Sequence, residues 1–319
     1  MLPRLLSSGL ALLLAAAPAL AEEARDAFIR DTAQRHGVDA ETVEQLLGEA
    51  RYQQSIINAI SRPAEARPWS DYRPIFLTAE RIRDGRAFLA EHETALRRIE
   101  TETGVPAEMV VSIIGVETFY GRVKGSFRVL DALYTLGFHY PPRQDFFRSE
   151  LGHLFALVEE QGLDIREIRG SYAGAMGWGQ FIPSSYRAYA RDGDGDGRID
   201  LFGSLPDVFA SVANYFAEHG WREGGPIAVR ARTGERSAGF TPESYRPDYT
   251  VEALAAHDIE PVEAVDPQTP ASIVRLQGAQ GEETWMVFPN FWVITRYNRS
   301  PLYAMAVMQL AEEIAAGSN

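Results

Sequence analysis

The chain has 319 residues, 45% of them apolar and 24% charged, with a formal net charge of −13. This balance excludes a disordered chain, and the length suits one large domain or two to three small ones. The acidity argues against nucleic acid or anionic membrane as partners, since neutralising phosphates takes clustered Lys and Arg, and the lack of cysteine excludes disulfides and a lipid-acceptor thiol.

The chain opens on Arg4, an apolar run from Leu10 to Ala17, and Pro18-Ala19-Leu20-Ala21 before Glu22. These read as the charged region, the apolar region and the A-x-A cleavage site of a signal peptide over residues 1–21. A membrane anchor would need about 18 apolar residues, more than this run supplies. A periplasmic protein with no transmembrane anchor is expected, its mature form carrying 30 basic and 44 acidic residues, or −14.

Residues 22–104 read as a helical domain. One helix stops at His36-Gly37, a second covers Ala40 to Arg51, and Thr78 caps a longer one with Ile82, Leu89 and Leu96 in register. Between them, Arg62-Pro63 to Tyr72-Arg73-Pro74 is punctuated by proline and reads as a loop presenting Trp69 and Tyr72. Residues 105–222 alternate helices with glycine-rich turns and form the candidate catalytic core. Residues 223–288 read as a small α+β subdomain, with strands at Ile227–Arg232, Ala271–Leu276 and Trp285–Phe288 and a helix near Val251 to Ala256. Residues 289–319 return to helix at Tyr303 to Ile314. No internal repeat or low-complexity segment is present.

In the helix that starts at Pro106, Val110, Ile113 and Ile114 fall at i, i+3 and i+4, and Glu117 follows at i+7. An acid stands where a core residue is expected. Gly121 is the expected C-cap, which places Glu117 in the last turn, at the negative end of the helix dipole. Apolar surroundings and that dipole both disfavour the carboxylate and raise its pKa, as a general acid near neutral pH requires. The competing reading is a half-buried ion pair with Arg122.

Gly115-Val116-Glu117-Thr118-Phe119-Tyr120-Gly121-Arg122 resembles the signature of the lytic murein transglycosylase B family. Three later blocks resemble it in the same order and spacing. They are Gly170-Ser171-Tyr172-Ala173-Gly174-Ala175-Met176-Gly177 continuing to Gln180-Phe181-Ile182-Pro183-Ser184-Ser185-Tyr186, then Ser211-Val212-Ala213-Asn214-Tyr215-Phe216 with Gly220-Trp221, then Ile294-Thr295-Arg296-Tyr297-Asn298 with Tyr303-Ala304-Met305-Ala306-Val307. The resemblance implies a mainly α (α+β) protein, with a lysozyme-like catalytic core, a helical N-terminal domain and a small inserted β-containing subdomain. It implies cleavage of the β-1,4 bond between N-acetylmuramic acid and N-acetylglucosamine in peptidoglycan glycan strands, leaving 1,6-anhydro ends.

In that resemblance Glu117 makes both proton transfers, so the two-carboxylate separation rule of glycosidases does not apply. Ser171, Gln180, Phe181, Tyr215, Tyr297, Asn298 and Tyr303 match cleft residues, and Tyr72 and Phe146 match less closely. Aromatic faces suit sugar C–H surfaces, and amides and hydroxyls suit acetamido groups. For each aromatic, core packing is the competing reading. A binding protein that keeps the cleft, and a muramidase that adds water, are the competing functions. Other cell-wall enzymes are the expected protein partners of a monomer.

Asp192-Gly193-Asp194-Gly195-Asp196-Gly197-Arg198-Ile199-Asp200 fits the first half of an EF-hand loop, with side-chain oxygens at positions 1, 3 and 5 and the Arg198 carbonyl at 7. Position 12 is Gly203, so the loop needs a later acid, and Asp207 is the expected one. The resemblance implies a structural Ca2+ at such a loop, and no organic cofactor; a solvated Asp-Gly turn is the alternative. The chain has no GxSxG, no HExxH and no phosphate-binding glycine loop, and its six histidines are scattered and expected to be surface or core residues.

Overall fold

Side chains of Asp39, Thr78, Ser204, Thr250 and Ser300 cap the starts of five of the described helices. The computed structural model describes residues 10–61 and 67–317, with side chains from residue 22 onward. The charged start of the leader and Arg62-Pro63 lie outside the described residues. By contacts the chain forms two units, one made of Met1–Ser61, Ser126–Ala175 and Ile182–Arg187, the other of Arg62–Gly125, Met176–Phe181 and Ala188–Asn319.

Helix α1 (Leu10–His36) ends at the expected His36, and Asp39 caps α2 (Ala40–Gly48) by accepting from the Thr42 amide. α2 stops three residues short of Arg51, because the 49–53 segment is tied elsewhere: the Arg51 amide donates to Asp131 and the Gln53 amide to Thr135. α3 (Gln54–Ile60) follows.

The expected loop before Pro74 instead contains α4 (Trp69–Phe76). Trp69, Tyr72 and Phe76 recur at helical spacing, a period that the flanking prolines obscure. Trp69 is 2% exposed, so it is a core residue and is not presented to solvent. Thr78 caps α5 (Ala79–Glu91) by accepting from the Arg81 amide, as expected. The long helix then breaks at His92, which closes α5 and opens α6 (Glu93–Thr103).

Next comes α7 (Ala107–Thr118), in which every residue but Glu108 and Glu117 is buried. It is apolar on all sides rather than along one stripe, which marks a central helix. α5, α6, α11 and α14 pack around it. β1 (Phe127–Arg128) pairs antiparallel with β2 (Arg169–Gly170). Between them, α8 (Val129–His139) and α9 (Gln144–Gln161) pack on each other, and α9 packs on α1. Phe28 meets Phe138 and Phe155 edge-on at 5.7 and 6.0 Å in that unit's core. Buried Glu150 of α9 receives the Ser184 amide and hydroxyl at the start of α10 (Pro183–Tyr189).

Ser204 caps α11 (Leu205–Glu218). Beyond Gly224-Gly225-Pro226 lies an antiparallel five-stranded sheet of order β4-β6-β7-β3-β5, from β3 (Ala228–Thr233), β4 (Tyr249–Thr250), β5 (Ile259–Pro261), β6 (Pro270–Gly278) and β7 (Gly281–Val287). Two of these strands, β4 and β5, are too short to show periodicity, and the helix α12 (Val251–Ala255) is as expected. Phe240, Leu254, Ile259, Ile273, Met286 and Phe288 form the core of this subdomain. α13 (Pro289–Tyr297) and α14 (Pro301–Ala315) return to the central helix, where the Ser112 hydroxyl donates to the Val307 carbonyl at 2.7 Å. Among the described residues no helix is long and apolar enough to cross a membrane.

Candidate active site

Glu117 occupies the last turn of α7. Its C-cap is Phe119 rather than Gly121: Phe119, Tyr120 and Gly121 all take left-handed backbone, with φ of 51°, 55° and 83°. Two non-glycine residues in that region are strained and persist only where their surroundings hold them. Here Phe119 lies under the guanidinium groups of Arg81 and Arg122, each 4.5 Å from its ring centre. The Tyr120 hydroxyl donates to the Arg81 carbonyl at 2.8 Å. Its ring rests where a Cβ on Gly115 would come within 2.8 Å of it, and Gly121 leaves room for the Trp178 ring. The glycines of the signature thus make space for aromatic rings that hold the turn behind the acid.

The end of α7 is joined to the 176–181 turn. The Thr118 hydroxyl lies 3.0 Å from the Trp178 carbonyl and accepts from the Gly121 amide. Met176 and Phe181 form a two-way backbone bridge at 3.0 Å. Gln180 also has a left-handed backbone, with φ of 51°. Its side-chain amide donates to the Gly177 and Lys124 carbonyls, at 2.9 and 3.3 Å, and among the described residues no donor bonds its side-chain oxygen.

α14 supplies the contact to the acid. The Tyr303 hydroxyl donates to Glu117 Oε1 at 2.6 Å. Tyr303 is 3% exposed, so its ring is packed and its hydroxyl is committed to the carboxyl. Tyr297 donates to the Gly179 carbonyl and Tyr215 to the Arg296 carbonyl, each at 2.6 Å. Phe181, Tyr215 and Tyr297 form a cluster with ring centres 4.8 to 5.8 Å apart. Asn298 is exposed and accepts from the Ser300 amide. Tyr72 stacks on Trp69 and is an electrostatic neighbour of Tyr303.

Glu117 keeps a solvent-accessible strip while protein encloses it on the other sides. Burial pushes its pKa up to about 7, against the opposing hydrogen bond from Tyr303. Burial also pushes the Tyr297 and Tyr303 phenols well above their usual range, so both stay protonated donors. Arg122 is not its partner: its guanidinium pairs with Glu80 and Asp84. Among the described residues Glu117 has no ion-pair partner and no second carboxylate acting on it. A lone acid that titrates near 7 is able both to give and to take a proton at neutral pH.

Six of the residues named from the sequence, Gln180, Phe181, Tyr215, Tyr297, Tyr303 and Tyr72, fall in the unit that holds Glu117, as does Asn298. Ser171 and Phe146 belong to the other unit. There the Ser171 hydroxyl accepts from the Ala173 and Ala175 amides and shapes a turn. Phe146 is 37% exposed, beneath the Arg143 guanidinium at 4.3 Å. Thr118, Trp178 and Arg81 were not foreseen as parts of the site. Thr118 and Trp178 sit within or beside the quoted blocks, whereas nothing in the sequence marks Arg81.

In the aspartate loop, carboxylate oxygens of Asp192, Asp194 and Asp196 converge within 4.8 Å. The Gly195 and Gly197 amides donate to Asp192 at 2.6 and 2.8 Å, and these bonds, led by that from Gly197, hold its carboxyl below the usual range. The buried Asp207 accepts from the Gly193 and Asp200 amides, both at 2.7 Å, and so ties the two ends of the loop together. Converging hard oxygens around a glycine-shaped turn fit a Ca2+ ion.

Residues 21–312 match the transglycosylase SLT domain family. The membrane-bound lytic murein transglycosylase B of Escherichia coli (strain K12) is 39% identical over 298 residues, covering 90% of this chain and 81% of that protein. The soluble lytic transglycosylase SltB1 from Pseudomonas aeruginosa superimposes with a TM-score of 0.86 at 46% identity, covering 92% of this chain and 98% of that one. The Escherichia coli lytic transglycosylase Slt35 in complex with calcium gives 0.83 at 39% identity, covering 92% and 93%. The class is that of enzymes with a lysozyme-like core. Within it, the chain belongs to the transglycosylase SLT domain family.

Proposed function

We propose that this lytic transglycosylase of peptidoglycan cleaves the β-1,4 bond between N-acetylmuramic acid and N-acetylglucosamine, with Glu117 as its only acid and base. The observation that carries this reading is one carboxyl with a pKa near 7 and no neighbouring carboxylate. Protonated Glu117 gives its proton to the glycosidic oxygen as the C1–O bond breaks. The resulting carboxylate then takes the proton of the C6 hydroxyl, whose oxygen closes onto C1 to form the 1,6-anhydro ring. No water is consumed, and Glu117 ends protonated as it began.

Gln180, Tyr297 and Asn298 line the glycan path with Tyr72 as an outer contact, while the buried Phe181 and Tyr215 rings pack behind them; Ser171 and Phe146, in the other unit, also contact glycan. Tyr303 orients the acid. Residues 22–104, 105–222, 223–288 and 289–319 serve respectively as helical domain, catalytic core, small subdomain and closing helices. The leader over residues 1–21 exports the enzyme to the periplasm, where it works as a monomer on glycan strands beside other wall enzymes. Asp192, Asp194, Asp196, the Arg198 carbonyl and Asp207 hold a structural Ca2+, which fixes the loop and takes no part in the proton transfers.

The test is digestion of purified sacculi by the wild-type protein and by Glu117→Gln, with the products weighed. Products one water lighter than reducing sugars are expected from the wild type, and a loss of about 10²- to 10⁴-fold in rate from the variant. Reducing ends would make the enzyme a hydrolase, and absence of digestion would make it a binding protein.

A further inference from the structure

Two histidines outside the catalytic site share one arginine. Arg187 of α10 directs Nη1 at His36 Nδ1, at the end of α1, and at His153 Nδ1, in α9, at 3.0 and 2.9 Å. Its Nε and Nη2 donate to Glu160, also in α9, at 2.9 and 2.6 Å. The two imidazole rings lie 4.6 Å apart. An arginine has only donors, and Nη1 carries two hydrogens. Both Nδ1 atoms must therefore be acceptors, so both rings are neutral and carry their proton on Nε2.

We infer that His36, His153 and Arg187 form an acid-sensitive clamp that joins α1, α9 and α10. A proton added to either ring has only Nδ1 to occupy, where it meets an Arg187 N–H and breaks that hydrogen bond. The charges around the pair are Asp31 and Arg35 on α1, Glu160 on α9 and Arg187 on α10. Burial comes first in lowering both histidines, and His153 is pushed down to about 4, with His36 and Arg187 adding to the effect and Glu160 opposing it. Gly152 brings the His36 ring onto α9, since a Cβ there would lie 3.1 Å from His36 Nε2. Both rings line a cavity of about 690 Å3 together with Thr32, Arg148, Ser149 and Asp145, which gives protons a way in.

The sign of the pH effect follows from linkage. An unfolded histidine titrates near ~6.5, above the folded values, so the unfolded chain binds more protons below that pH. Stability from the clamp is intact above ~6.5 and is lost as pH falls toward about 4.

Long-range 1H–15N correlation spectra of the full chain at pH 7.5 test the tautomers directly. His36 and His153 are expected to be protonated on Nε2 alone and to stay so well below the pH at which exposed histidines titrate. A ring protonated on Nδ1, or titration of either near 6.5, would overturn the clamp. His36→Asn with His153→Asn retains an acceptor near each Nδ1 but cannot titrate. The wild-type melting temperature is expected to fall more steeply between pH 7.5 and 5 than that of the double variant, and equal slopes would also overturn it.

Discussion

At the scale of the residue, the acid is set by what lies against it. Burial raises Glu117 to about 7, and the Tyr303 hydroxyl opposes that shift. Tyr303→Phe is expected to move the alkaline limb of the kcat/KM profile to higher pH, because the free acid loses a donor that favours its charged form. The same environment costs stability. Glu117 binds its proton more tightly folded than unfolded, so folding weakens as pH rises from 4.5 through about 7. Glu117→Gln is therefore expected to be more stable than the wild type at pH 8, by on the order of 3 kcal/mol, and equal to it at pH 4. A melting temperature unchanged at pH 8 would show that the carboxylate is solvated after all. Glu117 was legible in the sequence as an acid in an apolar helix. Its partner was not: Tyr303 stands 186 positions away, and spacing says nothing across such a distance.

Among the elements, those with local signals are the ones legible in the sequence. Thr78, the Val251 helix and the break at His36-Gly37 are written in neighbouring residues, through caps and glycine. α4 was hidden because Pro68 and Pro74 speak for a loop while Trp69, Tyr72 and Phe76 keep a helical period. The C-cap of α7 falls at Phe119, two residues before the expected Gly121, because ring packing holds Phe119 and Tyr120 in left-handed backbone as well. That packing makes Gly115→Ala a sharp test. Its methyl would meet the Tyr120 ring within 3 Å, so a loss of about 1–3 kcal/mol is expected in denaturant unfolding, with activity falling as the turn behind Glu117 shifts. Scattered histidines in the sequence likewise gave no hint of the Arg187 clamp, which depends on three elements meeting.

At the scale of the molecule, the aspartate loop stands at the entrance to α11, one of the helices around α7. Chelation with EDTA is expected to lower the melting temperature and readdition of Ca2+ to restore it, the ion stabilising the fold by about 3 kcal/mol when calcium is at 100 times its Kd. An identical melt with and without calcium would leave the loop as a solvated turn held by Asp207. Order and class of the main helices were legible here, but not the grouping of residues 1–61 with 126–175, which no local pattern announces.

The bond between Tyr303 and Glu117 also joins two segments that are far apart along the chain. α14 packs on α7, which precedes it by nearly two hundred residues. The pair is therefore made by the tertiary fold alone, and a backbone cut anywhere between the two helices would leave the acid and its donor on separate fragments, held together only by packing.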